Sequence, residues 1–295
     1  MPMVMGSQRW RVFAAHACLI VAVLVVAFPF LMIASISLRP VNFAGGHLIP
    51  QSLSLEHWKL ALGMSYVDAD GQVIVPPFPV LRWIWNSVKV ASISATVCLL
   101  LSITSAYAFS RMRFRGRGAL LNALLLLQMF PAALALVAIY ALFDRIGDFV
   151  PWLGLNSHWS LALAYTYGVA LYIWLIKGYY DSVPLELEEA AAVDGATRFQ
   201  ALMDILLPMA MPILVVVFAL AFLTAMIEYP VASVLMHDEN NLTLAVGSRQ
   251  YMLPQSYLWG DFAATAILAG VPLTLLFLVT QRWLVSGLTS GGVKD

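Results

Sequence analysis

Apolar residues along this chain fall into runs long enough to be helices crossing a bilayer. A helix rising 1.5 Å per residue needs roughly 20 apolar residues to span the hydrocarbon core. Runs near that length cover 12–37, 85–110, 120–143, 159–180, 206–227 and 262–285. Transmembrane strands would instead give segments of about ten residues with alternating polarity. The pattern therefore predicts an all-α, polytopic membrane protein with six transmembrane helices. Pro29 and Pro131 lie inside predicted spans, where each removes a backbone donor and is expected to kink its helix.

Composition agrees with a membrane location. Only 11% of the 295 residues are charged and 61% are hydrophobic, whereas soluble proteins carry about a quarter charged residues. A net charge of +0 gives no sign of nucleic-acid binding. Cys18 and Cys98 sit in apolar runs, far from any metal-ligand spacing, and are expected to pack as small hydrophobes. No metal or cofactor is expected. The first run is too long for a secretory h-region and lacks a small-residue cleavage pattern, so it is expected to be retained as a span.

Arginines set the orientation. Arg9 and Arg11 precede the first span, and "RMRFRGRG" after the second carries Arg111, Arg113, Arg115 and Arg117. Both belong on the cytoplasmic side. Six spans return the carboxyl terminus, with Arg282 and Lys294, to that side as well. Residues 39–84, 144–158 and 228–261 then face outward. The first of these holds "DADGQVIVPPFPV", a turn followed by a Pro-limited extended stretch. Residues 181–204 break the charge rule, with six acids against Arg198 alone.

Polar groups inside the spans are few. His16, Asn122 and Gln128 mark either a substrate path or hydrogen bonds between helices. Lys89 and Lys177 lie near span ends and can snorkel. Tyr165, Tyr167, Tyr172 and Trp174 could line a transport path through the fourth span or serve as packing and interface anchors.

The acidic stretch reads "DSVPLELEEAAAVDGATRFQALMDILLP". Asp181 or Ser182 can cap a helix with Pro184 in its first turn, and Glu186, Glu188 and Glu189 suit the positive end of the helix dipole. Gly195 can adopt the left-handed conformation that ends the helix, and Thr197 can begin the next. An amphipathic helix lying on the membrane without a partner would share much of this pattern.

The spacing Glu189-Ala190-Ala191, then Gly195, then Ile205, Leu207 and Pro208 is similar to the EAA signature of permease subunits in importers of the ATP-binding cassette class. "FPFLMIASISLR", "NFAGGHLIP", "HWKLALG", "PPFPVLRWIWNSVKV", "YAFSRMRF", "LWGDFAA" and "QRWLVSGLTSGGVKD" also resemble stretches of the maltose and maltodextrin branch of this family, over essentially the whole chain. The resemblance implies a type I importer permease fold in the inner membrane. It implies as partners a MalF-like permease subunit, two MalK-like ATPase subunits, a periplasmic maltose-binding protein, the sugar itself and surrounding lipid. The EAA residues would form a coupling helix in a groove of one ATPase subunit. Gly291, Gly292, Val293, Lys294 and Asp295 would reach the interface of the ATPase pair. The implied division is a first span and outer loop over 1–84, a permease core over 85–282 with coupling helices over 184–205, and a tail over 283–295.

The outward segment "SRQYMLPQSYLWGD" concentrates large apolar side chains on a loop, which suggests a contact surface. Tyr257 and Trp259 suit the aromatic belt of the last span. For Tyr251, Met252, Leu253, Pro254 and Gln255 the resemblance implies entry into the open cleft of the docked binding protein. No GxxxxGK[ST] loop occurs, so nucleotide hydrolysis is assigned to partners and the chain is expected not to be an enzyme. An ion-driven carrier would need buried carboxylates or broken helices in matched halves, and only the Pro-interrupted spans favour it. A membrane enzyme would need paired catalytic carboxylates or a motif such as HExxH, and neither is present.

Overall fold

The computed structural model describes residues 4–290, apart from 41, 46, 69, 254 and 255. In chain order the described elements are α1 (Val4–Ser37), α2 (Glu56–Ala61), β1 (Tyr66–Val67), β2 (Val73–Ile74), α3 (Val80–Arg111), α4 (Arg117–Gln128), α5 (Leu136–Gly147), α6 (His158–Ala164), α7 (Val169–Ser182), α8 (Glu186–Val193), α9 (Arg198–Gln200), α10 (Leu207–Ile227), α11 (Pro230–Leu235), α12 (Leu244–Gly247), β3 (Met252–Leu253), β4 (Ser256–Tyr257) and α13 (Trp259–Ser290). They fall into two compact units, one of residues 1–81 and 248–270, the other of 82–247 and 271–295.

Five stretches among the described residues are long and apolar enough to cross a membrane: Trp10–Ser37, Val80–Arg111, His158–Ser182, Arg198–Ile227 and Trp259–Trp283. They coincide with five of the six predicted runs. The run at 120–143 differs, because it is two helices rather than one. Pro131 is extended (φ −62°, ψ 117°), and a 3₁₀ turn over Ala132–Ala135 separates α4 from α5. The pyrrolidine ring disfavours helical backbone at the preceding residue and supplies no amide. At 12 residues each, the halves are about 18 Å long, short of the roughly 30 Å hydrocarbon core. The expected kink is thus a break. At Pro29, by contrast, α1 continues, with the ring inside a 34-residue helix.

In the first unit, α1 is exposed along its apolar length. The predicted turn after α2 forms: Asp68 Oδ1 accepts from the amides of Asp70 and Gln72 at 2.9 Å each, and Gly71 is left-handed at φ +78°. This joins β1 to β2 in antiparallel register, Tyr66 opposite Ile74. The start of α13 is anchored by a buried cluster. His57 Nδ1 meets Asp261 Oδ1 at 2.6 Å. Asn42 Oδ1 accepts from the amides of Gly260 (2.9 Å) and Asp261 (3.1 Å), and its Nδ2 donates to Asp261 Oδ2 at 3.2 Å. Gly260 lies so close to the His57 ring that a Cβ would overlap it.

In the second unit, α7 packs against α10 and α4. Tyr165 and Tyr172 belong to the core, whereas Tyr167 and Trp174 stay exposed. A 3₁₀ turn over Tyr165–Gly168 interrupts the fourth span, and Gln128 Oε1 accepts from the Leu171 amide at 2.9 Å just beyond it. Gln128 therefore serves as a bond between helices, one of the two roles its sequence position allowed. The segment 237–247 is strapped to the starts of α3 and α6. Trp83 Nε1 donates to the Glu239 carbonyl at 2.8 Å, and Asn86 Nδ2 donates to those of Asn240 and Leu242. Asn156, at φ +58°, accepts from the amides of His237 and Asp238.

Candidate coupling site

The acidic stretch folds as two helical arms around a sharp turn. At the end of α8 the Ala196 amide donates to the Ala191 carbonyl (2.9 Å) and the Gly195 amide to that of Ala192 (3.1 Å). That paired pattern satisfies carbonyls left over at a helix end and requires a left-handed residue between them. Gly195 supplies it at φ +89°. Thr197 then opens α9 through a capping box: its side chain accepts from the Gln200 amide, and Gln200 Oε1 accepts from the Thr197 amide at 2.8 Å. Both expectations for this turn hold.

The cap expected at the start of α8 does not form. Asp181 and Ser182 still belong to α7, and Leu185 precedes α8 without a side-chain cap. Asp181 instead accepts from Ser110 Oγ at 2.6 Å and pairs with Lys177. Beyond α9 the chain passes through a π-helical turn, Ala201–Leu206, directly into α10. Pro208 has no amide for the carbonyl four residues earlier, and the wider turn lies immediately before it. Leu206 is fully buried there, Ile205 and Leu207 are half-buried and Pro208 is exposed.

Glu189 and Ala190 are exposed and Ala191 is half-buried. Val193 is 87% exposed and Phe199 69%, so each arm presents a large apolar group to its surroundings. Inward, Glu188 Oε1 lies 2.6 Å from Arg111 Nε in a nearly buried ion pair. Arg111 Nη2 also donates to the Val183 carbonyl at 2.9 Å. Tyr107, one turn earlier on α3, directs its hydroxyl toward Glu188 Oε2 (3.4 Å) and the Arg198 carbonyl (3.5 Å). A cavity of about 220 Å³ opens beside these groups, with Met112, Leu185 and Glu189 in its wall.

The chain matches the family model described as "Binding-protein-dependent transport system inner membrane component" over residues 98–290. It belongs to that family. The matched region contains the whole helix–turn–helix at Glu186–Gln200. Among relatives, the permease is 58% identical over 98% of its length to the "Maltose/maltodextrin transport system permease protein MalG" of Photorhabdus laumondii, of which 97% is covered. It is 57% identical to the protein of that name from Vibrio vulnificus, with both chains covered in full. A crystal structure of a bacterial ABC transporter involved in import of the acidic polysaccharide alginate shares the fold at TM-score 0.77 and 18% identity, covering 96% of this chain and 100% of that one.

Sequence reasoning used Arg111 only as an orientation marker and missed its pairing with Glu188. The one available signal was the surplus of acids at 181–204, on the side predicted to be rich in arginine. The reading of the loop 248–261 also needs a correction. Tyr251 is 1% exposed, edge-on to Phe78 at 4.8 Å, and accepts from Thr265 Oγ1 at 3.1 Å. Burial pushes its phenol up to about 12. It therefore roots the β3–β4 pair, in which Met252 opposes Tyr257 and Leu253 opposes Ser256, and is not itself an exposed contact. Pro254 and Gln255 lie outside the described residues, as do Gly291, Gly292, Val293, Lys294 and Asp295.

Proposed function

We propose that this chain is one of two membrane-spanning subunits of an ATP-driven, binding-protein-dependent importer that moves maltose and maltodextrins across the inner membrane. The helix–turn–helix at Glu186–Gln200 carries this reading: its inner side is tied to α3 and its apolar side chains Val193 and Phe199 point away. Such a surface suits a groove on an ATPase subunit. The sugar follows from near full-length relatives named for maltose and maltodextrin transport. The partners are a MalF-like permease, two MalK-like ATPases and a periplasmic maltose-binding protein. Residues 252–255 contact the binding protein, with Tyr251 as their anchor, and the tail 291–295 reaches the ATPase pair. The chain divides into a first span and outer loop (1–84), a permease core (85–282) and a cytoplasmic tail.

Reconstituted with these partners in liposomes, the subunit is expected to support ATP hydrolysis stimulated by maltose-loaded binding protein, and uptake that persists when the proton gradient is collapsed. Uptake that stops with the gradient while ATP is plentiful would point to an ion-driven carrier instead.

Both termini are placed in the cytoplasm, since Arg9, Arg11 and Arg111–Arg117 mark that side. Gly71 and Gly116 are both left-handed turn glycines with open space at the Cβ position. Gly71→Cys and Gly116→Cys are expected to react with an impermeant maleimide from opposite sides of the membrane. Labelling of both from one side would overturn this topology.

A further inference from the structure

Glu188 is the only buried residue of α8, and α9 has none. With Ala191 half-buried beside it, a helix whose one buried group is a carboxylate is held more by electrostatics and hydrogen bonds than by apolar burial. A buried ion pair is weak evidence of net stability, because desolvation offsets most of the attraction and apolar residues of the same volume often do as well. What such a pair provides is a definite geometry. Arg111 is the last residue of α3, and its planar fork addresses two elements at once: Nε to Glu188 on α8, and Nη2 to the Val183 carbonyl just past α7. Tyr107 adds the second carboxylate oxygen of Glu188 and the Arg198 carbonyl. The last turn of α3 thus reaches both arms of the helix–turn–helix and the end of the fourth span.

We propose that Arg111 is a positioning residue that makes α8 and the inner ends of α3 and α7 move as one body, so that displacement of the coupling helix reaches the spans instead of being lost in a hinge. This inference rests on the coupling reading above. A lysine in its place would keep the charge but could not hold both acceptors with a fixed fork.

The test uses the complete transporter in liposomes and reads sugar moved per ATP hydrolysed. In parallel, Val193→Cys is cross-linked to the ATPase subunit, which reads docking alone. Arg111→Lys is expected to lower sugar moved per ATP several-fold while the cross-link forms as in the parent. The double variant Arg111→Met/Glu188→Met is expected to match the parent in thermal stability and cross-linking, yet to keep the low ratio. If the ratio returns with the two methionines, or never falls in Arg111→Lys, Arg111 is packing and the proposal is wrong. Loss of the cross-link in Arg111→Lys alone also overturns it, since the residue would then serve assembly. If Val193→Cys fails to cross-link even in the parent background, the coupling reading itself fails and takes this inference with it.

Discussion

Replacing Gly260 with alanine is expected to remove most of the folded subunit from the membrane, while Gly270→Ala in the same helix leaves its level unchanged. Both glycines sit in α13, so intrinsic helix propensity favours alanine equally at each. Their surroundings differ. A Cβ at Gly270 meets nothing within 4 Å, whereas one at Gly260 falls inside the imidazole ring of His57. That ring cannot retreat cheaply, because it is buried and holds Asp261 at 2.6 Å. Moving it leaves the carboxylate of Asp261, among the described residues, with the Asn42 amide at 3.2 Å as its side-chain donor. Leaving a buried polar group without its hydrogen-bond partner costs about 1–3 kcal/mol, and more where the group is charged, a large share of the total stability of a domain. Quantifying detergent-extracted complex by size exclusion checks this. His57→Ala in the Gly260→Ala background is expected to recover part of the loss by making room for the methyl. Equal yields for Gly260→Ala and Gly270→Ala would show that the His57 ring is not held against the helix as described.

That cluster also shows what was hidden in the sequence. Asn42 and His57 lie in stretches singled out only by resemblance, Gly260 and Asp261 end a loop singled out for its apolar side chains, and His57 and Asp261 are 204 positions apart. Periodicity and capping rules reach a few residues along the chain, so no local signal could join them. The spans were legible for the opposite reason. Their length is set by bilayer thickness, which the run of apolar residues reports directly. The third run is divided in two at Pro131, because composition says how far a helix could extend but not where a proline divides it.

The turn between α8 and α9 was read correctly where the requirement was local, a left-handed glycine at 195 and a threonine cap at 197. The start of α8 was misread because Asp181, a plausible cap by type, is claimed by Ser110 and Lys177. Glu188 was hidden among neighbouring acids: nothing in "ELEEAAAV" distinguishes the buried carboxylate from the exposed Glu186 and Glu189. Tyr251 was assigned to the surface because it lies in a loop predicted to face outward, yet packing against Phe78 and Phe262 draws it into the core of its unit.

Gly195→Val is expected to insert in the membrane and assemble with its partners, but to lose most sugar transport. At φ +89° a β-branched side chain collides with its own backbone, costing on the order of 1–2 kcal/mol. No neighbour contributes, since a Cβ at this position meets nothing within 4 Å. The penalty is therefore purely conformational, which makes the series of variants diagnostic. Asparagine enters the left-handed region more readily than other non-glycine residues, so transport should fall in the order Gly195, Asn, Ala, Val. Relief of the strain breaks the bonds from Gly195 to Ala192 and from Ala196 to Ala191, and the angle between α8 and α9 is lost with them. The spans are untouched, so membrane level and complex yield serve as internal controls beside initial rates of ATP-driven maltose uptake in liposomes. A valine variant that transports at the parent rate would mean that the turn does not set the geometry through which the ATPase acts. An asparagine variant as defective as valine would place the defect in some contact of the side chain rather than in the backbone.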